Sequence, residues 1–157
     1  DYTLYNLEND LKKIAAHCTG EEITADDINA VTNGSIERNI FALVDAVSKN
    51  RKDEAYRMLY NLLSGGDTVY HMLSMIIGQF EIILSVKELR EKSMSNAQIQ
   101  KALKIHEYRI KKAVPPADRY SIKDLRRILI NAYEIDNSIK SGLMEAQLAL
   151  ELFIAEI

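Results

Sequence analysis

QFEIILSVKELREKSMSNAQIQKALKIHEYRIKKA, residues 79–113, is the stretch that decides the fold. It opens as the second half of an apolar helix, turns basic at Lys87 and Arg90, and breaks around Ser93. Ser95 then stands where an N-cap side chain belongs, and Ile99 and Leu103 follow at helical spacing. A further helix starts near His106 and carries Arg109, Lys111 and Lys112. No part of the stretch alternates with period two, so it reads as helix, short helix, helix.

The same period runs outward in both directions. Upstream, Asp67 is placed to cap the long helix, which has Val69, Leu73, Ile76, Phe80, Ile83 and Leu84 as its stripe. Met72, Met75, Ile77 and Ile82 flank that stripe, and a helix apolar on several sides belongs in the middle of a bundle. Earlier helices are expected from Ile36 to about Lys49 and from Lys52 to about Ser64, the second closed by Gly65-Gly66. Downstream, the helix from His106 is expected to stop at Pro115-Pro116, which cannot donate backbone hydrogen bonds. Ser121 caps the next, whose stripe is Leu125, Ile128, Leu129, Ala132, Ile135 and Ile139, with Gly142 as its stop. The last, from about Met144, is expected to turn Leu148, Leu152 and Ile157 inward.

At the other end, Leu4, Leu7, Leu11, Ile14 and Ala15 mark a helix from about Thr3 to His17. A short one capped by Thr24 follows, through TADDINAVTN to Asn33. Asn33-Gly34 reads as a boundary. Residues 1–33 offer too narrow an apolar surface to stand alone and are expected to end a domain that begins outside this chain. Residues 34–157 then form a helical bundle, and the fold class is all-α.

The 157 residues are 47% apolar with only six glycines and two prolines, a composition suited to one helical core. Cys18 is the single cysteine, so no internal disulfide can form; it is expected to pack, and a reducing compartment suits it. No apolar run approaches the ~20 residues that span a bilayer, and no membrane is expected. The net charge of −3 is unevenly spread. From Lys87 to Arg127 twelve cations face five acids, a net +7, while residues 1–33 carry −5 and 128–157 carry −4. Such asymmetry fits faces that meet different partners.

Signs of catalysis are missing. There is no GxxxxGK[ST] loop for nucleotide phosphates and no GxSxG nucleophile. One cysteine and the scattered His17, His71 and His106 give no metal-ligand spacing. No catalytic residue, cofactor or metal is therefore expected. Ser95–Lys112 has the outline of a helix-turn-helix with Lys104 where the usual glycine would be, which makes a free-standing DNA-binding regulator the alternative reading. Otherwise the charged residues point to a partner interface: Lys87, Arg90, Arg109, Lys112, Arg126 and Arg127, with Asp136 and Lys140 four residues apart on one helix.

Several motifs share an order with one family. They are Glu8-Asn-Asp-Leu11-Lys-Lys, Ile23-Thr-Ala-Asp-Asp27-Ile, Ile40-Phe41-Ala-Leu43-Val-Asp45-Ala and Gln79-Phe80 with Val86-Lys87-Glu-Leu89. Ile105-His106-Glu-Tyr108-Arg-Ile-Lys-Lys112 and Ile135-Asp136-x-x-Ile139-Lys140-x-Gly142 complete the set. Together they resemble the C-terminal part of the delta subunit of the bacterial DNA polymerase III clamp loader. The resemblance implies that residues 1–33 end a small lid domain and that 34–157 form a collar domain. It further implies partners: the clamp-loader ATPase subunits (gamma/tau) and delta-prime through the collar, the sliding clamp only through an N-terminal domain outside this chain, and possible DNA contact in the full complex. In that family ATP is handled by partner subunits, and the setting is the bacterial cytoplasm.

Overall fold

The computed structural model describes residues 4–18, 23–24, 33–64 and 68–157. Helical spacing becomes helix throughout: α1 (Leu4–His17), α2 (Asn33–Ser48), α3 (Lys52–Ser64), α4 (Val69–Glu91), α5 (Asn96–Leu103), α6 (Glu107–Arg119), α7 (Ile122–Lys140) and α8 (Ala146–Glu156). No strand occurs among the described residues, and the class is all-α. The Thr24-capped helix expected before Asn33 falls, from residue 25 to 32, outside the described residues, as do Gly65, Gly66 and Asp67.

The chain divides into two compact units, Asp1–Asn39 and Ile40–Ile157. In the first, α1 is tied along its own surface by Lys12 and Glu8 at 2.7 Å. Its expected apolar stripe is covered only at Ile14; Leu4, Leu7, Leu11 and Ala15 are exposed. Periodicity identified the helix but could not supply a surface to cover it. Cys18, half-buried, follows the helix and donates its backbone N–H to Ile14 O at 2.9 Å. α2 starts at Asn33, three residues before the expected Ile36. First-turn N–H groups have no intrahelical partner, so the chain loses little by winding Gly34 into the helix there.

The second unit is built around α4, which packs against α5, α6, α7 and α8. Met72, Leu73, Ile76, Phe80, Ile83 and Val86 are buried along it. By length and composition alone α4 could cross a membrane, which the absence of an unbroken apolar run had concealed. Its burial among four other helices makes it the core helix of a bundle. Its N-cap is Thr68, whose hydroxyl accepts from His71 N, rather than the expected Asp67. Each of these neighbours is only eight to nineteen residues long, so their placement depends on well-defined ends.

Those ends are specified locally. Ser95 and Gln98 form a capping box on α5, and Ser121 and Asp124 form one on α7. Lys104 takes the left-handed conformation (φ 53°) that the missing glycine would have favoured, turning the chain sharply from α5 into α6. α8 is capped by the Glu145 carboxylate, which accepts from Gln147 N and Leu148 N.

The prolines do not end α6. It runs through Pro115 and Pro116 to Arg119, correcting the expected stop. The carbonyls that lose their donors belong to Lys111 and Lys112, both exposed and open to water, while Pro116 and Ala117 are buried. Side-chain burial outweighs two missing backbone bonds.

Candidate assembly surface

α4, α6 and α7 position the charged residues that the sequence singled out. Arg126 on α7 reaches Glu88 on α4 at 2.7 Å, and Arg90 on α4 reaches Asp118 on α6 at 3.6 Å. Lys87, Arg90 and Arg126 therefore gather around the C-terminal half of α4. Arg127 is exposed and leans 3.6 Å from Asp124 within its own helix. Arg109 is half-buried, and Lys112 lies over the Tyr108 ring at 5.5 Å, a cation–π contact. Asp136 and Lys140 pair at 2.5 Å within α7. They lie ~15 Å and ~21 Å along that helix from Arg126, at 1.5 Å per residue, and so belong to a different part of the surface.

The pairing pattern shows where the net +7 resides. Among the described residues Lys87, Lys92, Lys101, Lys104 and Lys123 lie within ion-pair reach of no carboxylate, and neither does Lys112. The arginines 90, 119, 126 and 127 are all engaged with acids. Exposed pairs of this kind contribute about 0–1 kcal/mol each, so they orient side chains more than they hold the fold. The lysines supply the field.

Arg119 is the exception in depth of engagement. It donates to Asp45 Oδ1 and Ser48 Oγ, both at 2.8 Å, and joins α6 to α2. Tyr108 adds an edge-to-face contact with Phe41 at 5.7 Å between the same two helices. Burial would raise the Asp45 carboxyl, but hydrogen bonds and charge from Lys49 and Arg119 outweigh it and hold the pKa below the ordinary value.

Tyrosines tie the other helices. Tyr60 on α3 donates to Glu151 Oε1 on α8 at 2.9 Å, and Tyr56 donates to Glu151 O at 3.1 Å. Tyr133 on α7 donates to Glu81 on α4. The hydrogen bonds to Glu151 and Glu81 raise the pKa of the two phenols, since the carboxylates favour the protonated donor.

Sequence reasoning missed one face. Leu148 and Leu152, expected inside, are 50% and 42% exposed, whereas Ala149, Leu150, Phe153 and Ile154 are buried. α8 is apolar on nearly all sides, so periodicity alone could not choose its inner face. The available signal was Gln147 and Glu151, which share a side with the two leucines. Ile130 and Tyr133 similarly break the solvent side of α7.

No group of three or more His, Cys, Asp or Glu is placed to hold a metal among the described residues. In the α5–α6 hairpin, Ile99, Ile110 and Ala113 are buried in the bundle, so the helix-turn-helix outline is explained by packing.

Comparison with known proteins gives a consistent result. Residues 37–157 match the family model described as DNA polymerase III delta subunit, C-terminal domain. The chain is 31% identical over 156 residues to DNA polymerase III subunit delta of Bacillus subtilis (strain 168), covering 97% of this chain and 45% of that protein. The solved structure of the Bacillus subtilis DNA clamp loader delta protein superposes with a TM-score of 0.79 at 30% identity, covering 98% of this chain and 45% of that one. The chain thus spans less than half the length of these relatives.

Proposed function

Because the chain belongs to the family of C-terminal domains of the DNA polymerase III delta subunit, we propose that it is a non-catalytic assembly module that joins the collar of a bacterial clamp loader. The observation that carries this reading is the family match over residues 37–157, which takes in the whole of the second unit. Residues 1–33 are then the end of the lid domain and 34–157 the collar domain. The neighbours are the ATPase subunits (gamma/tau) and delta-prime, in the cytoplasm. The sliding clamp is engaged by a region outside this chain. The DNA-binding regulator is not favoured, since the family accounts for the hairpin as part of the bundle.

Lys87, Arg90, Arg109, Lys112, Arg126, Arg127, Asp136 and Lys140 remain the proposed interface charges. Arg127 is the cleanest to test: its side chain is 75% exposed and it ties no two helices together. Reversing Arg126 would also set two carboxylates against each other at Glu88. The experiment reconstitutes the complex from the full-length delta subunit and its partner subunits at low and moderate salt. Wild type is expected to co-elute, and Arg127→Glu to weaken assembly most at low salt. Failure of wild type to assemble would overturn the collar reading. Equal assembly by the variant would remove Arg127 from the interface.

A further inference from the structure

The exposed side of α8 combines features that the bundle itself does not use. Its inner face is complete without Leu148 and Leu152, because Ala149, Leu150, Phe153 and Ile154 already fill the contacts with α3, α4 and α7. The two leucines stand one turn apart and half exposed, and covering their remaining apolar surface is favourable. Along this segment the charge of the chain has one sign, and a cation from α3, Lys52, donates to Ala155 O at the C-terminal end of α8. Residues 141–157 hold Glu145, Glu151 and Glu156 and no lysine or arginine.

Glu151 is also held in place. Its Oε1 accepts from Tyr60 OH and from Gln147 Nε2, both at 2.9 Å, which fixes the carboxylate between α3 and α8. Among the described residues Oε2 takes part in no bond and keeps its acceptor capacity for a partner. Tyr60, bonded to Glu151, is itself 46% exposed and adds an aromatic group at that carboxylate. An apolar centre with a fixed anion at its rim is the layout of a specific protein interface, in which the apolar contact gives affinity and the charge sets register.

We infer that Leu148, Leu152 and Tyr60, with Glu151 as the register charge, dock a helix of a neighbouring protein in the assembly that carries aliphatic side chains flanked by lysine or arginine. Charge complementarity selects this occupant: an acidic helix would be repelled by the three glutamates, and a purely apolar one would leave Glu151 desolvated without a partner. The assignment rests on the collar reading and deepens it by naming the face and the chemistry of the neighbour.

The test uses the full-length delta subunit and the purified ATPase subunit of the same clamp loader, with affinity measured across a salt series. The Leu148→Ser, Leu152→Ser double variant is expected to keep its denaturation midpoint, both sites being exposed, and to lose at least about tenfold in affinity. Glu151→Gln keeps an acceptor for Tyr60 and Gln147 but drops the charge; it is expected to weaken binding less and to flatten the salt dependence. If wild type binds and both variants bind equally well with the same salt slope, the α8 face is not the interface. If wild type itself fails to bind, the collar reading falls with it. If the leucine variant abolishes concentration-dependent dimerisation of the delta subunit and leaves ATPase-subunit binding intact, the occupant is a second copy and the inference is overturned.

Discussion

Gln79 is 2% exposed in the middle of α4, and its Oε1 meets no donor among the described residues. A buried polar atom without a partner costs about 1–3 kcal/mol, whereas an apolar side chain of similar size there costs nothing of the kind. Gln79→Leu is therefore expected to raise the stability of the bundle by roughly 1 kcal/mol or more, read as a higher urea midpoint at unchanged slope. Tyr120 is a related case. Burial pushes its pKa up to about 12, and its ring meets Phe80 edge-on at 6.2 Å while its hydroxyl finds no partner among the described residues. Asp45 gives the pH dependence. Its folded pKa lies below the ordinary value of 3.8, so its ionised form stabilises α2 against α6 above that pH, and the contribution is lost as pH falls through the folded pKa. Asp45→Asn should lower stability at neutral pH and lose less than wild type between neutrality and acid. Parallel losses in the two proteins would assign the acid sensitivity to other carboxylates.

At the scale of elements, α7 was legible because it carries enough consecutive turns for its stripe to be unambiguous, and α4 because a helix apolar on several sides belongs at the centre of a bundle. Ile76 and Phe80 are each 1% exposed, and either one changed to alanine should cost about 2–5 kcal/mol in chemical denaturation. Two unchanged midpoints would show that α4 lies at the edge. The misreadings share a cause: a local rule met a stronger tertiary one. Pro115-Pro116 looked like a stop because local backbone chemistry disfavours helix there, yet burial of Pro116 and Ala117 carries α6 onward. Lys104 was read as the wrong residue for a tight turn and adopts the left-handed geometry regardless. On α8 the composition was too uniformly apolar for the sequence to say which side meets the core.

For the molecule as a whole, the charge asymmetry was visible in the sequence, but its engagement was not. Spacing can pair Asp136 with Lys140, four residues apart; it cannot foresee that Arg126 meets Glu88 from 38 residues away. Three-dimensional pairing is what separates the engaged arginines from the lysines left to set the field. The bond from Lys52 to Ala155 O and that from Tyr56 to Glu151 O join positions 103 and 95 residues apart, while α4 through α7 follow one another along the chain. Closing that long loop costs more chain entropy than docking successive helices does. By that measure the seam between α3 and α8 is the joint with the largest closure cost. A neighbour seated on α8 would act there as a clasp, so that association with partners and resistance to unfolding become one concentration-dependent quantity.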